Sequence, residues 1–250
     1  FNISSFRSVD INFTFYKINK DIPHTITMEY PFELSPFQKN AIQGIEEGKH
    51  ILITAHTGSG KTLPAEYAIQ KFHKEGKKVI YTAPIKSLSN QKFYDFTKKF
   101  PEISFGILTG DIKFNPEADC LIMTTEILRN NLFKRESLQK LDSKIKKNVL
   151  NFEMDIETEL GCVIFDEVHY INDKERGKVW EETIMELPQS VLIVMLSATI
   201  DRANEFVEWV KIVKNREVCL CSTKERVVPL THYAYFTLRD KLTEKHGQNN

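Results

Sequence analysis

The stretch from His50 to Thr62, HILITAHTGSGKT, constrains the fold of this chain more than any other. The apolar run Ile51 to Ile53 reads as a buried parallel strand, and Gly58, Ser59 and Gly60 as a tight turn. Lys61 and Thr62 then open a helix that continues through Ala65, Tyr67, Ala68, Ile69 and Phe72. A strand feeding a glycine turn and a helix is the geometry that holds nucleotide phosphates. Across Thr57, Gly58, Ser59 and Gly60, backbone N–H groups turn inward as an anion nest. The helix N-terminus adds partial positive charge. Lys61 is placed to reach β- and γ-phosphates, and the Thr62 hydroxyl to ligate Mg²⁺. The pattern G-x-x-x-x-G-K-[ST] fails at one position, where Ala55 stands for the first glycine. Alone, the stretch indicates a nucleoside triphosphate cradle and nothing more.

Composition narrows the partners. Lys plus Arg and Asp plus Glu both total 34 in 250 residues, so any nucleic-acid surface must be a local patch. The longest apolar run, Val191 to Leu196, is far too short to cross a bilayer. The first residues include Arg7, Ser8 and Asp10 rather than an apolar signal core. The reading is an intracellular chain, cytoplasmic or nuclear, with no membrane partner. It begins at Phe1, not Met, and reads as an excerpt of something longer. Cys120 and Cys162 sit in strand-like runs, and Cys219 and Cys221 alternate on one strand face. Their spacing fits buried reduced thiols, not a disulfide framework or a metal site.

The rest of the chain alternates strands and helices. Val9, Ile11, Phe13 and Phe15, then Ile22, His24, Ile26, Met28 and Tyr30, read as a β-hairpin. A helix starts near Ser35 or Pro36, buries Phe37, Ala41, Ile42 and Ile45, and ends at Gly48. After the cradle come apolar strands at Val79–Thr82, Ser104–Leu108, Leu121–Thr124, Val163–Phe165, Val191–Leu196 and Glu217–Cys221, with amphipathic helices between most of them. That rhythm predicts an α/β fold, a mostly parallel sheet with helices on both faces. Lys134 to Glu159 interrupts it. Leu138, Leu141, Ile145 and Val149 recur at helical spacing among lysines, which reads as an amphipathic edge helix with a solvated basic face. A nucleic-acid- or partner-binding insertion is the alternative.

Ligands of parallel sheets bind at the carboxyl ends of the strands. Strand Val163–Phe165 ends in Asp166-Glu167-Val168-His169. One carboxylate there can hold Mg²⁺ through water, and a second can take a proton from attacking water. His169 reads either as a core imidazole or as a relay. Strand Val191–Leu196 ends in Ser197-Ala198-Thr199, whose hydroxyls either cap the next helix or bond the acidic motif.

In order, AHTGSGKT, DEVH and SAT resemble motifs I, II and III of superfamily 2 helicases. The stretches DEVHYINDKERGKVWEE, YTAPIKSLSNQK, LTGD and TTEILRN resemble the Ski/Mtr class of DExH-box RNA helicases, which feed RNA to the exosome. The resemblance runs from about Pro31 to Tyr233, and Ala55 fits it. It implies the first RecA-like lobe of a P-loop, ATP-dependent, 3′-to-5′ RNA helicase. Phe32 would stack on adenine and Gln38 would read its edge. Lys61 and Thr62 would bind phosphate and Mg²⁺, Asp166 would coordinate Mg²⁺, and Glu167 would act as general base. His169, Ser197, Ala198 and Thr199 would couple hydrolysis to lobe movement. Pro84, Ile85, Lys86, Gly110, Thr124, Thr125 and Arg129 would track the RNA backbone. Implied partners are single-stranded or 3′-tailed RNA, exosome-type adaptors, and a second RecA-like lobe in cis beyond residue 250.

The domain reading follows: a hairpin extension at 1–30, a RecA-like domain at 31–232 with a charged helical insertion at 134–159, and the start of a linker at 233–250. Two other functions compete with it: a lobe of a related superfamily 2 DNA helicase, and a non-catalytic ATP-gated RNA-binding module.

Overall fold

The computed structural model describes residues 30–139, 154–223 and 231. The chain divides after Pro31, and the elements that follow belong to the second unit. In chain order they are α1 (Pro36–Glu46), β1 (His50–Thr54), α2 (Leu63–Lys74), β2 (Lys78–Ala83), α3 (Lys86–Lys99), β3 (Phe105–Leu108), β4 (Lys113–Phe114) and β5 (Cys120–Thr124). They continue with α4 (Thr125–Gln139), β6 (Leu160–Phe165), a 3₁₀ turn (Val168–Asn172), α5 (Gly177–Glu186), β7 (Leu192–Ser197), α6 (Ala203–Lys214) and β8 (Val218–Ser222). The strands form one sheet in the order β4-β3-β5-β2-β6-β7-β1-β8. Every neighbouring pair is parallel except β3 with β4.

Strand alternation builds two cores, one on each face. Leu52, Ile80, Leu121, Met123, Val163, Phe165, Ile193 and Met195 pack with Leu128, Leu132, Trp180, Ile184, Val207 and Val210 of α4, α5 and α6. The intervening residues face α1, α2 and α3. There the Phe96 ring of α3 meets Tyr81 and Phe105, and Gly44 of α1 lies against Ile51 and Cys219. Burial on both faces is why β1, β2, β5, β6 and β7 read as nearly unbroken apolar runs. Each large aliphatic side chain so buried contributes about 1.5–3 kcal/mol.

The expected mostly parallel α/β sheet is therefore the fold found. Some details differ from the sequence reading. The cradle helix opens at Leu63, with Lys61 and Thr62 still in the turn before it. Strand β4 escaped notice because two exposed residues, Lys113 and Phe114, carry no periodicity. Cys219 is half-buried rather than buried, with its sulfur 3.5 Å from Cys221, and all four cysteines are free thiols. Helix α4 runs from Thr125 through Gln139, so Lys134 continues that helix, while Met154 and Ile156 return to the core before β6. Residues 1–29 of the expected 1–30 hairpin extension, residues 140–153 of the insertion and the 233–250 linker lie outside the described residues.

His50, the first residue of β1, is fully buried, and its Nδ1 accepts the Ile193 N–H at 3.0 Å. Burial, with the nearby Arg216 and Lys214 charges, pushes its pKa down to about 3. The ring is neutral at physiological pH and serves as a buried acceptor between β1 and β7.

Candidate nucleotide site and strand-end groove

Three adjacent strands, β6, β7 and β1, end at one place on the carboxyl edge of the sheet. After β1 the backbone turns through Gly58 and Gly60 at φ 84° and 83°, a region that a side chain resists. Ser59 closes the turn, its hydroxyl donating to the His56 carbonyl at 2.7 Å. Thr57, Gly58 and Gly60 are exposed and Lys61 is buried. Gln38 of α1 donates to the Gly60 carbonyl at 3.1 Å and accepts the Ser35 N–H at 2.9 Å. A Cβ on Gly60 would sit 2.5 Å from Gln38 Nε2 and push that amide aside, while the φ of 83° is what calls for glycine. Phe32 is exposed ahead of α1.

Across the cradle, Glu167 occupies left-handed backbone at φ 51°. Such a conformation costs a non-glycine residue about 1–2 kcal/mol and persists where its surroundings impose it. Lys61 Nζ meets Glu167 Oε1 at 2.9 Å. Glu167 Oε2 lies 3.2 Å from His169 Nδ1; both atoms are buried, and neither makes a hydrogen bond. Asp166 is held by Tyr81, whose hydroxyl donates to Oδ2 at 2.6 Å, and by the Glu167 N–H, which donates to Oδ1 at 3.0 Å. Burial first, then the Asp166 charge, pushes the Tyr81 phenol well above its ordinary pKa, so it remains a donor. Tyr81 was missed by the sequence reading. Its signal was a hydroxyl in an otherwise apolar central strand, which needs a buried partner.

Ser197 at the end of β7 donates to the Thr199 carbonyl at 3.1 Å, and the Ser197 carbonyl accepts the Ala55 N–H at 3.0 Å. Its hydroxyl closes its own turn and does not bond the acidic motif, while its backbone anchors the start of the phosphate loop. Ala198 is half-buried and Thr199 exposed on that turn.

The neighbouring strand ends, β3, β5 and β2, form a groove of about 600 Å³. Pro84, Ile85, Lys86, Gly110 and Thr124 line it as expected, joined by Ser87, Glu126, Ile127 and Arg176. Lys86 pairs with Asp111 at 2.5 Å. Two expected residues stand elsewhere. Thr125 is fully buried, with an unpartnered hydroxyl oxygen. Arg129 pairs with Glu182 of α5 at 2.5 Å and lies over the Phe133 ring. Arg176 and Glu126, absent from the sequence reading, are ion-paired with each other.

The family model for DEAD/DEAH box helicases matches residues 35–206, from the start of α1 to the first turns of α6. The chain belongs to that family. It is 45% identical over 222 residues to the antiviral helicase SKI2 of Saccharomyces cerevisiae, covering 89% of this chain and 16% of that protein. It is 44% identical over 230 residues to the DExH-box ATP-dependent RNA helicase DExH11 of Arabidopsis thaliana, covering 92% and 15%. With the human exosome RNA helicase MTR4 it shares 43% identity over 207 residues, covering 83% and 18%. The resemblance to the Ski/Mtr class read from the motifs is thus matched by whole-segment similarity, over less than a fifth of each relative's length. The helicase MrfA, solved bound to DNA, superposes with a TM-score of 0.60 at 18% identity over 76% of this chain and 27% of that one. The Mycobacterium smegmatis helicase Lhr, solved with single-stranded DNA and AMP-PNP, gives 0.55 at 26% identity over 76% and 26%.

The cradle of this helicase segment fits ATP with Mg²⁺. Gly58 and Gly60 are exposed, Lys61 is the cation beside them, and the Thr62 hydroxyl and Asp166 are the hard oxygen donors that would hold the metal. Among the described residues no cluster of three or more His, Cys, Asp and Glu could hold a metal by itself. Mg²⁺ suits such a place because it is commonly shared between one or two protein oxygens, water and substrate phosphates.

Proposed function

We propose that the chain is the first RecA-like, ATP-binding lobe of an ATP-dependent RNA helicase, a domain at 31–232 followed by a linker to a second lobe. The helicase hydrolyses ATP to unwind or translocate along RNA in the 3′-to-5′ sense, in RNA processing or decay with exosome-type adaptors. The observation that carries the reading is the 2.9 Å Lys61–Glu167 pair, which brings the phosphate-loop cation and the acidic motif to one point. RNA is preferred over DNA because relatives at 43–44% identity are named as RNA helicases, whereas the DNA-bound structures are more distant.

ATP supplies the phosphoryl group and Mg²⁺ the charge that offsets its oxygens. The chain's own residues do the rest. Lys61 exchanges Glu167 for phosphate oxygens, because a doubly charged acceptor outcompetes one carboxylate in the same place. That exchange frees Glu167 to take the proton of the attacking water, while His169 steadies its second oxygen. Tyr81 fixes the Asp166 carboxylate through its hydrogen bond to Oδ2. Gln38 and Phe32 serve the adenine. Pro84, Ile85, Lys86, Gly110 and Thr124 follow the RNA backbone without reading sequence, as backbone groups, hydroxyls and a cation do. Thr125 would contact RNA only after rearrangement of α4, and Arg129 only after leaving Glu182.

The test uses a protein carrying both lobes. It should unwind a 3′-tailed RNA duplex faster than a 5′-tailed one and faster than the matching DNA. Equal unwinding of DNA would favour the DNA-helicase reading. Nucleotide-gated RNA binding without hydrolysis would favour the binding module.

A further inference from the structure

The stretch Tyr170 to Glu182 marks family resemblance but has received no task. The structure gives one to Arg176. We propose that Arg176 is a positioning residue that couples occupancy of the strand-end groove to the turn carrying Glu167 and His169. The proposal rests on the helicase reading above and deepens it.

The argument begins with strand order. β6, which delivers Glu167, and β2, which delivers the groove residue Pro84, are hydrogen-bonded neighbours. The nucleotide site and the groove therefore meet at the β2–β6 seam, and Arg176 spans it. Its guanidinium donates to the Pro84 carbonyl at 2.6 Å and pairs with Glu126 at the start of α4. On its inner side it lies 5.8 Å from the Tyr170 ring centre and 5.7 Å from that of Trp180. Those two rings stack at 5.8 Å with 22° between planes, and Trp180 is fully buried. Tyr170 in turn contacts the His169 ring at 5.2 Å, and His169 faces Glu167 Oε2 at 3.2 Å. A continuous set of contacts thus runs from a groove carbonyl to the second oxygen of the proposed general base.

The backbone that carries Arg176 is held for this purpose. Asp173 Oδ1 accepts the N–H groups of Glu175 and Arg176 at 3.0 and 2.8 Å. Those two backbone bonds keep the Asp173 carboxyl below its usual pKa, so it stays an acceptor. Gly177 lets the chain double back, since a Cβ there would come within 2.2 Å of the Ile171 carbonyl oxygen. The cation–π stack, the carbonyl and the carboxylate use the planar, multi-donor shape of Arg, which the point charge of Lys cannot reproduce. When RNA phosphates enter beside Pro84 and Lys86, they compete with Glu126 for the guanidinium and shift it against Tyr170. A helix α5 N-terminal ion pair with only a stabilising task would need neither the groove carbonyl nor the ring stack.

The experiment measures RNA stimulation, the ratio of RNA-saturated to RNA-free ATP turnover, in the two-lobe protein for Arg176→Ala, Arg176→Lys and Glu126→Gln. The apparent KM for RNA and the thermal midpoint are recorded for each. Coupling at the usual strength predicts that Arg176→Ala lowers the ratio about tenfold, with little change in the KM for RNA. Arg176→Lys should recover only part of it. Glu126→Gln should lower the ratio less, and the double variant should be non-additive, since the two residues touch. A raised KM for RNA with an unchanged ratio would make Arg176 a plain phosphate contact and overturn the proposal. So would equal losses of stimulated and unstimulated turnover tracking the thermal midpoint, the pattern of a structural residue. Absence of RNA stimulation in the unsubstituted protein would overturn the helicase reading itself, and is told apart because no variant is involved.

Discussion

Two triads of strand ends share one edge of the sheet and handle charge in different ways. At β6-β7-β1, a buried lysine and a carboxylate from distant parts of the chain converge in a cradle walled by backbone. At β3-β5-β2, the groove is open, and each named base at or near it is matched by its own acid: Lys86 by Asp111, Arg176 by Glu126, and Arg129 by Glu182 outside the lining. The cradle is organised for one small polyanion, with a single internal pair to displace. The groove is organised for a long ligand that must bind and let go, so its cations are held by exchangeable surface partners. The exposed Lys86–Asp111 pair is of a kind worth only about 0–1 kcal/mol, little enough for a phosphate to replace.

The comparison is broken most directly at Glu167. Glu167→Gln in the two-lobe protein should retain ATP binding and lose turnover by about two to four orders of magnitude, as removal of a general base does. Filter binding alongside phosphate release would read both. Next in size is Gly60→Ala. It places a Cβ against Gln38 in left-handed backbone, and should cost about 1–2 kcal/mol of folding stability in urea denaturation and abolish nucleotide binding. Tyr81→Phe leaves Asp166 short of a buried donor, and should cost about 1–3 kcal/mol in the same assay.

Groove substitutions should be milder. Lys86→Ala should weaken RNA about equally for all sequences and lower the salt slope of binding by roughly one ion, measured by fluorescence anisotropy. Arg129→Ala should leave that slope unchanged and lose only the α4–α5 pair, about 0–1 kcal/mol. A change in slope for Arg129 would return it to the RNA-contacting set read from its motif.

What was legible in the sequence follows the same division. The cradle is local: the strand and the glycine turn lie within thirteen consecutive residues and the helix follows at once, so each states its own geometry. The acidic motif was legible by its place at a strand end. The groove residues Pro84 to Lys86 and Thr124 were found through resemblance, and the strand order brought them together. Tyr81–Asp166, Arg176–Glu126 and Arg129–Glu182 were not legible, because each joins elements whose adjacency is set by strand order and helix packing rather than by sequence distance. Ser197 reads from sequence as either a cap of the next helix or a partner of the acidic motif, and its hydroxyl instead donates to a carbonyl two residues on.

In the proposed two-lobe helicase this chain supplies one wall of the ATP site, and the second lobe would supply the arginine that phosphoryl transfer uses to neutralise the transferring group. The direct measurement is ATP turnover by the 250-residue chain alone against the two-lobe protein with RNA. The chain alone should bind ATP yet turn it over about 10³-fold more slowly, the scale on which such arginines act. Equal rates would contradict the account.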